Sequence, residues 1–176
     1  MGHMLTNPRA YSLLQQRLDR NVTGAPDSPV FMEILQLLFT PEEAELAAQI
    51  PTAFTSSSRL ARKLRLPVDA LDDKITSMAE RGLVVDVEHR GKRYVSLAPV
   101  VIGFFEFTFM RTRENYPTRE LARLFEQYMF ENESFAHAVF AGQTQIGRSL
   151  VREEALPQGD HTEILDWERA SHIVTS

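Results

Sequence analysis

Apolar residues recur at helical spacing along the first half of the chain. Leucines follow this spacing in segment 11–18, and a run of turn formers with two prolines follows at 21–29. Segment 30–39 is apolar on nearly every side, which is typical of a buried helix. Thr40 and Pro41 then supply an N-cap and a first helical residue, so the pattern predicts that a third helix begins there.

The pattern continues as a pair of helices and then changes to the alternation of strands. The spacing predicts helices over 58–66 and 68–81, joined by a short turn that contains proline. Gly82 is placed to cap the second helix in the left-handed conformation. Two apolar runs with strand character, 83–87 and 93–97, follow on either side of a glycine-containing turn. We therefore expect a hairpin directly after the helix pair.

Segment 100–113 is strongly apolar and rich in phenylalanine. Its candidate partner-interface residues are Phe104, Phe105, Phe107 and Phe109. Neighbouring side chains on a helix diverge by about 100°, so these rings cannot all point one way. Two interpretations stay open, namely a helix buried on most sides and an apolar patch that binds a partner.

The remaining segments are less strongly patterned. A helix with an inward apolar stripe is predicted from about Tyr116 to residue 131. Segments 135–140 and 146–151 fit either a helix or a strand, and segment 163–174 carries an apolar face.

This order of elements predicts a mainly α fold with a small antiparallel β hairpin. Two helices, a short turn between them and a hairpin form a winged helix-turn-helix, which we place at about 30–99, with additional C-terminal helices. Residues 1–4 resemble a cloning tag, and the predicted domains are 5–99 and a Phe-rich helical region, 100–176. Charge supports the division, because residues 1–100 are net neutral whereas residues 101–176 carry a net charge of −5.

The 176 residues include no cysteine. This excludes disulfides, thiolate nucleophiles, cysteine-bound zinc and any iron–sulfur cluster held by this polypeptide alone. No apolar stretch approaches the ~20 residues of a membrane helix, and the N-terminus has no secretory pattern. We expect a cytoplasmic protein with no membrane partner.

The sequence also lacks the signatures of an active site. The serines at 56–58 have no glycine-flanked turn or nearby histidine, and the scattered glycines form no phosphate-binding loop. Potential metal ligands gather only around His161, with a spacing that fits no recurring site. We expect no enzymatic activity and no metal or cofactor bound by this chain.

The helix pair raises the question of DNA binding. The second helix would enter the major groove, yet its first turns carry Asp69, Asp72 and Asp73 against a single cation, Lys74. Carboxylates there repel a polyanion, so only weak binding to phosphates is expected. The candidate backbone contacts are the basic residues of the first helix and of the hairpin turn: Arg59, Arg62, Lys63, Arg65, Arg90, Lys92 and Arg93.

Four strings occur in order along the chain: GAPDSP at 24–29, LFTPEEA at 38–44, GFFEF at 103–107 and ILDWERA at 164–170. Together they resemble the N-terminal region of a family of prokaryotic 4Fe-4S ferredoxin-type proteins. In that family a winged-helix-like region precedes a cluster-binding domain whose cysteine motifs begin shortly after the position of Ser176. The resemblance implies 4Fe-4S clusters and electron transfer or redox sensing in a longer parent protein. It assigns no cluster ligand to this chain.

Three hypotheses follow. The first is a non-enzymatic winged-helix interaction module of an iron–sulfur redox protein, which pairs with itself as a homo-oligomer or with a redox partner protein through the Phe-rich half. The second is a redox-responsive transcription regulator that binds DNA through the basic helix and the hairpin. The third is a subunit that contributes to a site shared with another protein.

Overall fold

The computed structural model describes residues 8–110, 117–130 and 133–140 of the chain. These residues form a mainly α-helical fold with one small antiparallel sheet, which confirms the predicted fold class. The predicted segments 146–151 and 163–174 lie outside the described residues. The helices are α1 (Pro8–Leu18), α2 (Pro29–Leu38), α3 (Pro41–Ala47), α4 (Ser57–Leu64), α5 (Val68–Glu80), α6 (Phe105–Met110), α7 (Thr118–Phe130) and α8 (Glu133–Phe140). The strands are β1 (Thr55–Ser56), β2 (Val84–His89) and β3 (Lys92–Leu97).

Side-chain caps determine where α2 and α3 begin. The Ser28 hydroxyl accepts a hydrogen bond from the backbone N–H of Phe31 at the start of α2. At the start of α3, the Thr40 hydroxyl accepts from the N–H of Glu43, and the Glu43 carboxylate accepts from the N–H of Thr40. Each such cap stabilises a helix by about 1 kcal/mol. Both predicted helices are confirmed, and α8 resolves segment 135–140 as helix.

Gly82 connects α5 to the hairpin. Its φ of 75° lies in the left-handed region that favours glycine. The N–H of Gly82 donates to the carbonyl oxygen of Ala79 at 2.9 Å, and the N–H of Leu83 donates to that of Met78 at 3.0 Å. This pair of bonds is the Schellman pattern, which ends α5 and directs the chain into β2 as predicted for Gly82.

β2 and β3 form the predicted hairpin. They pair in antiparallel register from Val84 opposite Leu97 down to the turn. At the turn, Arg90 and Gly91 have φ values of 51° and 67°. Positive φ at both central residues is the type I′ geometry, which matches the twist of the flanking strands.

β1 is a short strand that the sequence analysis missed. Thr55 and Ser56 pair with β3 on the side away from β2, so the sheet order is β1-β3-β2. Two polar residues carry no alternating apolar pattern and therefore give no strand signal. β1 directly precedes the α4–α5 pair in the chain and β2 and β3 follow it. The winged helix-turn-helix stays a prediction.

The helix that one interpretation placed in the Phe-rich segment does not begin at the start of that segment. Ile102 is left-handed, with φ 55°, and α6 begins only at Phe105. The Glu106 carboxylate accepts hydrogen bonds from the N–H groups of Ile102 at 3.0 Å and Gly103 at 2.9 Å. Because this side chain satisfies the backbone donors before α6, the chain turns there instead of continuing as helix.

Aromatic rings in the core join α2 to the second half of the chain. Phe31 stacks on Tyr128 of α7 with ring centroids 4.8 Å apart. Phe104 lies edge-on to Phe39 at 6.4 Å and contacts Phe125 at 6.3 Å. All five rings are buried. The core therefore draws on both halves of the chain, and the domain boundary between them stays a prediction.

The buried hydroxyl of Tyr128 holds a distant part of the backbone. It donates a hydrogen bond of 2.9 Å to the carbonyl oxygen of Pro26. Burial raises the pKa of Tyr128, and the nearby carboxylates of Asp19 and Asp27 raise it further. Burial also raises the pKa of Tyr11. Folding therefore favours the neutral form of both hydroxyls.

We expect Gly82→Ala to destabilise the protein more than Gly91→Ala. Both positions have positive φ, so both variants carry a left-handed backbone penalty of about 1–2 kcal/mol. A Cβ on Gly82 would overlap the Cβ of Phe107, whereas one on Gly91 would meet no atom within 4 Å. The overlap should lower the free energy of unfolding, measured in urea, by about 1–3 kcal/mol more. Equal losses in the two variants would contradict this packing.

The free energy of unfolding should fall as the pH rises above about 10, where tyrosine ionises in the unfolded chain. Tyr128 keeps its proton to higher pH in the fold, so above that pH the unfolded state binds fewer protons and becomes favoured. Tyr128→Phe should lose about 1 kcal/mol at neutral pH with the hydrogen bond, and its stability should depend less on pH in the alkaline range. Urea unfolding followed by circular dichroism tests this. Identical pH dependence in the two proteins contradicts it.

Candidate interaction surfaces

Four of the predicted nucleic-acid contacts lie on α4 or directly after it, and all four are exposed. They are Arg59, Arg62, Lys63 and Arg65. None of them has a carboxylate oxygen within 4.0 Å in the described part of the chain. We call Arg59 and Lys63, which are four residues apart in α4, the first face, and Arg62 together with Arg65, which follows the helix, the second face. α4 thus presents cations in two directions.

Two of the exposed cations occupy strained backbone positions. Arg65 ends α4 in the left-handed conformation, with φ 57°, and the N–H of Leu66 donates to the carbonyl oxygen of Ala61 at 3.0 Å. Arg90 is left-handed at the tip of the hairpin, next to the exposed Lys92. A residue with a side chain in this region costs about 1–2 kcal/mol relative to the right-handed conformation, and glycine avoids that cost. Arginine therefore stands at two turns where glycine would be more stable.

The turn between α4 and α5 forms a mixed apolar and acidic surface, which we call the corner surface: Leu66, Val68, Asp69 and Asp73. Leu66 and Val68 are 39% and 40% exposed. Asp69 and Asp73 are exposed one helical turn apart at the start of α5. The first turns of α5 therefore present two exposed carboxylates, apolar groups and one cation, Lys74, as the sequence predicted for these charges.

Arg93 differs from the other predicted contacts because its guanidinium is occupied within the fold. It donates to a carboxylate oxygen of Asp86 at 2.7 Å, to the backbone oxygen of Asp72 at 3.0 Å and to the hydroxyl of Thr76 at 3.0 Å. Asp72 adds a carboxylate oxygen at 3.9 Å. Arg93 thus ties the hairpin to α5, and Asp72 is partly neutralised. The exposed predicted contacts are the remaining six.

The four phenylalanines predicted as a partner interface do not form one surface. Phe104 is fully buried in the core and is therefore not available to a partner. Phe105 and Phe109 are half-buried against Phe125 of α7, at ring distances of 4.9 Å and 6.0 Å. Phe107 is half-buried against Gly82. The break before α6 turns these rings inward, and the buried interpretation accounts for most of their area.

Other apolar side chains are exposed that the sequence analysis did not single out. Phe54 precedes β1 and is 54% exposed, and Phe130 ends α7 at 82% exposed. Ile102 lies before α6 and Met110 is its last residue, and both are exposed. Isolated aromatic or apolar residues outside a periodic pattern carry no sequence signal for exposure.

The described residues bring together no group of three histidine, aspartate or glutamate side chains that could hold a metal ion. The potential ligands around His161 lie outside those residues. Within the same ranges, no helix combines the length and the apolar character that a bilayer span requires. The absence of an active site or cofactor stays a prediction.

Comparison of the chain with protein-family models, with curated proteins and with solved structures finds no match. The resemblance to 4Fe-4S ferredoxin-type proteins therefore stays a prediction from the four sequence strings.

Proposed function

We propose that this chain is a non-enzymatic winged-helix dimerisation module, in which a second copy of the chain binds at the corner surface. The observation that supports it most is the exposure of Leu66 and Val68 between groups of opposite charge. Arg62 and Arg65 precede these two residues in the chain, and the aspartates of the corner surface follow them. One patch thus holds apolar, cationic and anionic groups together.

Such a patch is complementary to itself. In a two-fold dimer, the same surface is used by both copies, so each contact occurs twice. The second face of α4 in one copy would meet Asp69 and Asp73 of the other, and the reverse pair would form across the axis. Leu66 and Val68 would then lie near the axis as the apolar centre of a polar-rimmed interface.

The charge of α5 also favours a protein partner over duplex DNA. Helices that read the major groove contact base edges with Arg, Lys, Asn or Gln. The exposed residues over 68–74 of α5 are instead Val68, Asp69, Ala70, Asp73 and a single cation, Lys74. Those carboxylates would be repelled by phosphates but would be attracted by Arg62 and Arg65 of a second copy.

In the parent protein implied by the resemblance, this module would hold two copies of a cytoplasmic 4Fe-4S redox protein together. A redox partner protein with a similar basic and apolar patch would take the place of the second copy. The clusters would belong to the parent's cysteines, and no residue of this chain is proposed as their ligand.

Reversing the charge of the corner surface should weaken the dimer. Asp69→Lys with Asp73→Lys places cations opposite Arg62 and Arg65 of the second copy, so the dimer dissociation constant should rise about tenfold or more. Mixing this variant with the Arg62→Glu, Arg65→Glu variant should restore association, because the charges become complementary again. Sedimentation equilibrium over about 5–500 μM measures both effects.

A matched control separates this effect from net charge. Glu33→Lys with Glu126→Lys makes the same change of net charge at exposed positions of α2 and α7, and should leave the dissociation constant within about twofold. Wild-type chain that stays monomeric throughout the range contradicts the proposal. The same holds if the control weakens the dimer as much as the corner variant.

A second candidate function is DNA binding by a redox-responsive transcription regulator. The specific observation in its favour is the set of six exposed cations on α4 and the hairpin turn. Arg65 and Arg90 place cationic side chains at backbone positions that favour glycine. Phosphates are the ligands that such cations would bind without reading sequence.

Any duplex binding should be weak and nearly independent of sequence. We expect dissociation constants of about 10⁻⁴–10⁻⁶ M at physiological salt, with a steep loss as salt rises. Arg90→Ala with Lys92→Ala should weaken binding about equally for every duplex, whereas Arg20→Ala with Arg119→Ala, at exposed sites elsewhere, should not. Fluorescence anisotropy on a panel of duplexes measures this. A nanomolar, salt-tolerant preference for one duplex would contradict the dimerisation proposal's account of α5 and support the regulator.

A further inference from the structure

The loop before α4 and the first face of α4 line a cavity of about 490 Å³ that opens widely to solvent. Phe54 and Leu60 contribute apolar walls, and Arg59 and Lys63 contribute two cations. This volume falls within the range of about 300–1,000 Å³ that is typical of small-molecule sites. None of these residues belongs to the corner surface.

The loop that carries Phe54 is held on both sides. Before it, the carbonyl oxygen of Pro51 accepts from the N–H of Leu97 at 2.9 Å, and that of Thr52 accepts from the hydroxyl of Ser96 at 2.8 Å. Directly after it, β1 pairs with β3. The backbone is therefore fixed by β3, while the aromatic ring itself remains 54% exposed. A half-exposed aromatic ring on a fixed backbone is available for contact with the ring of a ligand.

The cations of the cavity lack an internal counterion. Arg59 and Lys63 are one helical turn apart, and no carboxylate of the described residues lies within 4.0 Å of either. Arg59 also lies in the first turn of α4, where the helix dipole already favours negative charge. The electrostatics of the cavity therefore select an anion.

We propose that this cavity binds a small aromatic anion, with its ring against Phe54 and its anionic group between Arg59 and Lys63. The chemistry is shared by nucleoside monophosphates and aromatic carboxylates. The ring of the ligand would bury the exposed apolar area of Phe54, and its anionic group would serve as the counterion of Arg59 and Lys63. The site shares no residue with the proposed dimer, which uses the second face of α4.

Titration of the full chain with four probes tests the site. AMP and indole-3-acetate each carry a ring and an anion, adenosine carries only the ring, and inorganic phosphate carries only the anion. Backbone amide shifts of Phe54, Thr55 and Arg59 in ¹H–¹⁵N spectra report the binding. We expect at least one aromatic anion to saturate these shifts, and to bind about tenfold more tightly than adenosine or phosphate. The probe that binds identifies the source as phosphate or carboxylate.

Four variants assign the contacts. Phe54→Ala and Lys63→Gln should each weaken the bound anion about fivefold, whereas Phe54→Tyr keeps a ring and should bind within about twofold of wild type. Arg119→Gln removes an exposed cation of α7 that belongs to neither the cavity nor the corner surface, and should change affinity less than about twofold. The proposal is overturned if neither aromatic anion saturates by about 5 mM, if phosphate binds as tightly as AMP, or if Arg119→Gln weakens binding as much as Lys63→Gln.

Discussion

The left-handed turn at Gly82 constrains how the three parts of this fold meet. It ends α5, points the chain into β2 and, because glycine has no Cβ, lets Phe107 of α6 lie directly against it. α6 can then bring Phe104 into the core between Phe39 and Phe125. A Cβ at this position would overlap the Cβ of Phe107, so α6 would have to shift. The contact between the Phe-rich segment and the turn that joins α5 to β2 therefore depends on the lack of a side chain at residue 82.

The features of the fold that could be predicted from the sequence are those with a local physical cause. Thr40 and Glu43 cap α3 within one turn of helix, and Gly82 reports its own backbone conformation. β1 could not be predicted, because its two polar residues become a strand only through pairing with β3. The left-handed turn at Ile102 could not be predicted for a related reason, since it depends on which backbone N–H groups donate to the Glu106 side chain. Both misses are contacts that a periodic pattern does not encode.

The candidate surfaces divide in the same way. Exposure of the cations on α4 follows from their spacing, because Leu60 and Ala61 occupy the buried side of that helix. Arg93 pairs with Asp86 and Asp72 through tertiary contacts. The sequence alone therefore could not distinguish Arg93 from Lys92 as a candidate phosphate contact. Phe54 is a single aromatic residue in a loop, so neither its exposure nor its place beside two cations left a signal in the sequence. The sequence showed where the cations lie along the chain, and the tertiary contacts determine which of them have a carboxylate partner.

The distribution of free charge on α4 also couples the two proposed interactions. The fold gives Arg93 a carboxylate partner but leaves all four cations of α4 without one among the described residues. An anion bound between Arg59 and Lys63 lowers the positive potential at Arg62 and Arg65, which lie within about one Debye length at physiological salt. The attraction of these two arginines for Asp69 and Asp73 of a second copy then weakens. By linkage, the dimer must reduce the affinity for the aromatic anion by the same factor. Both sites can be filled at once, since they lie on different faces, but each opposes the other.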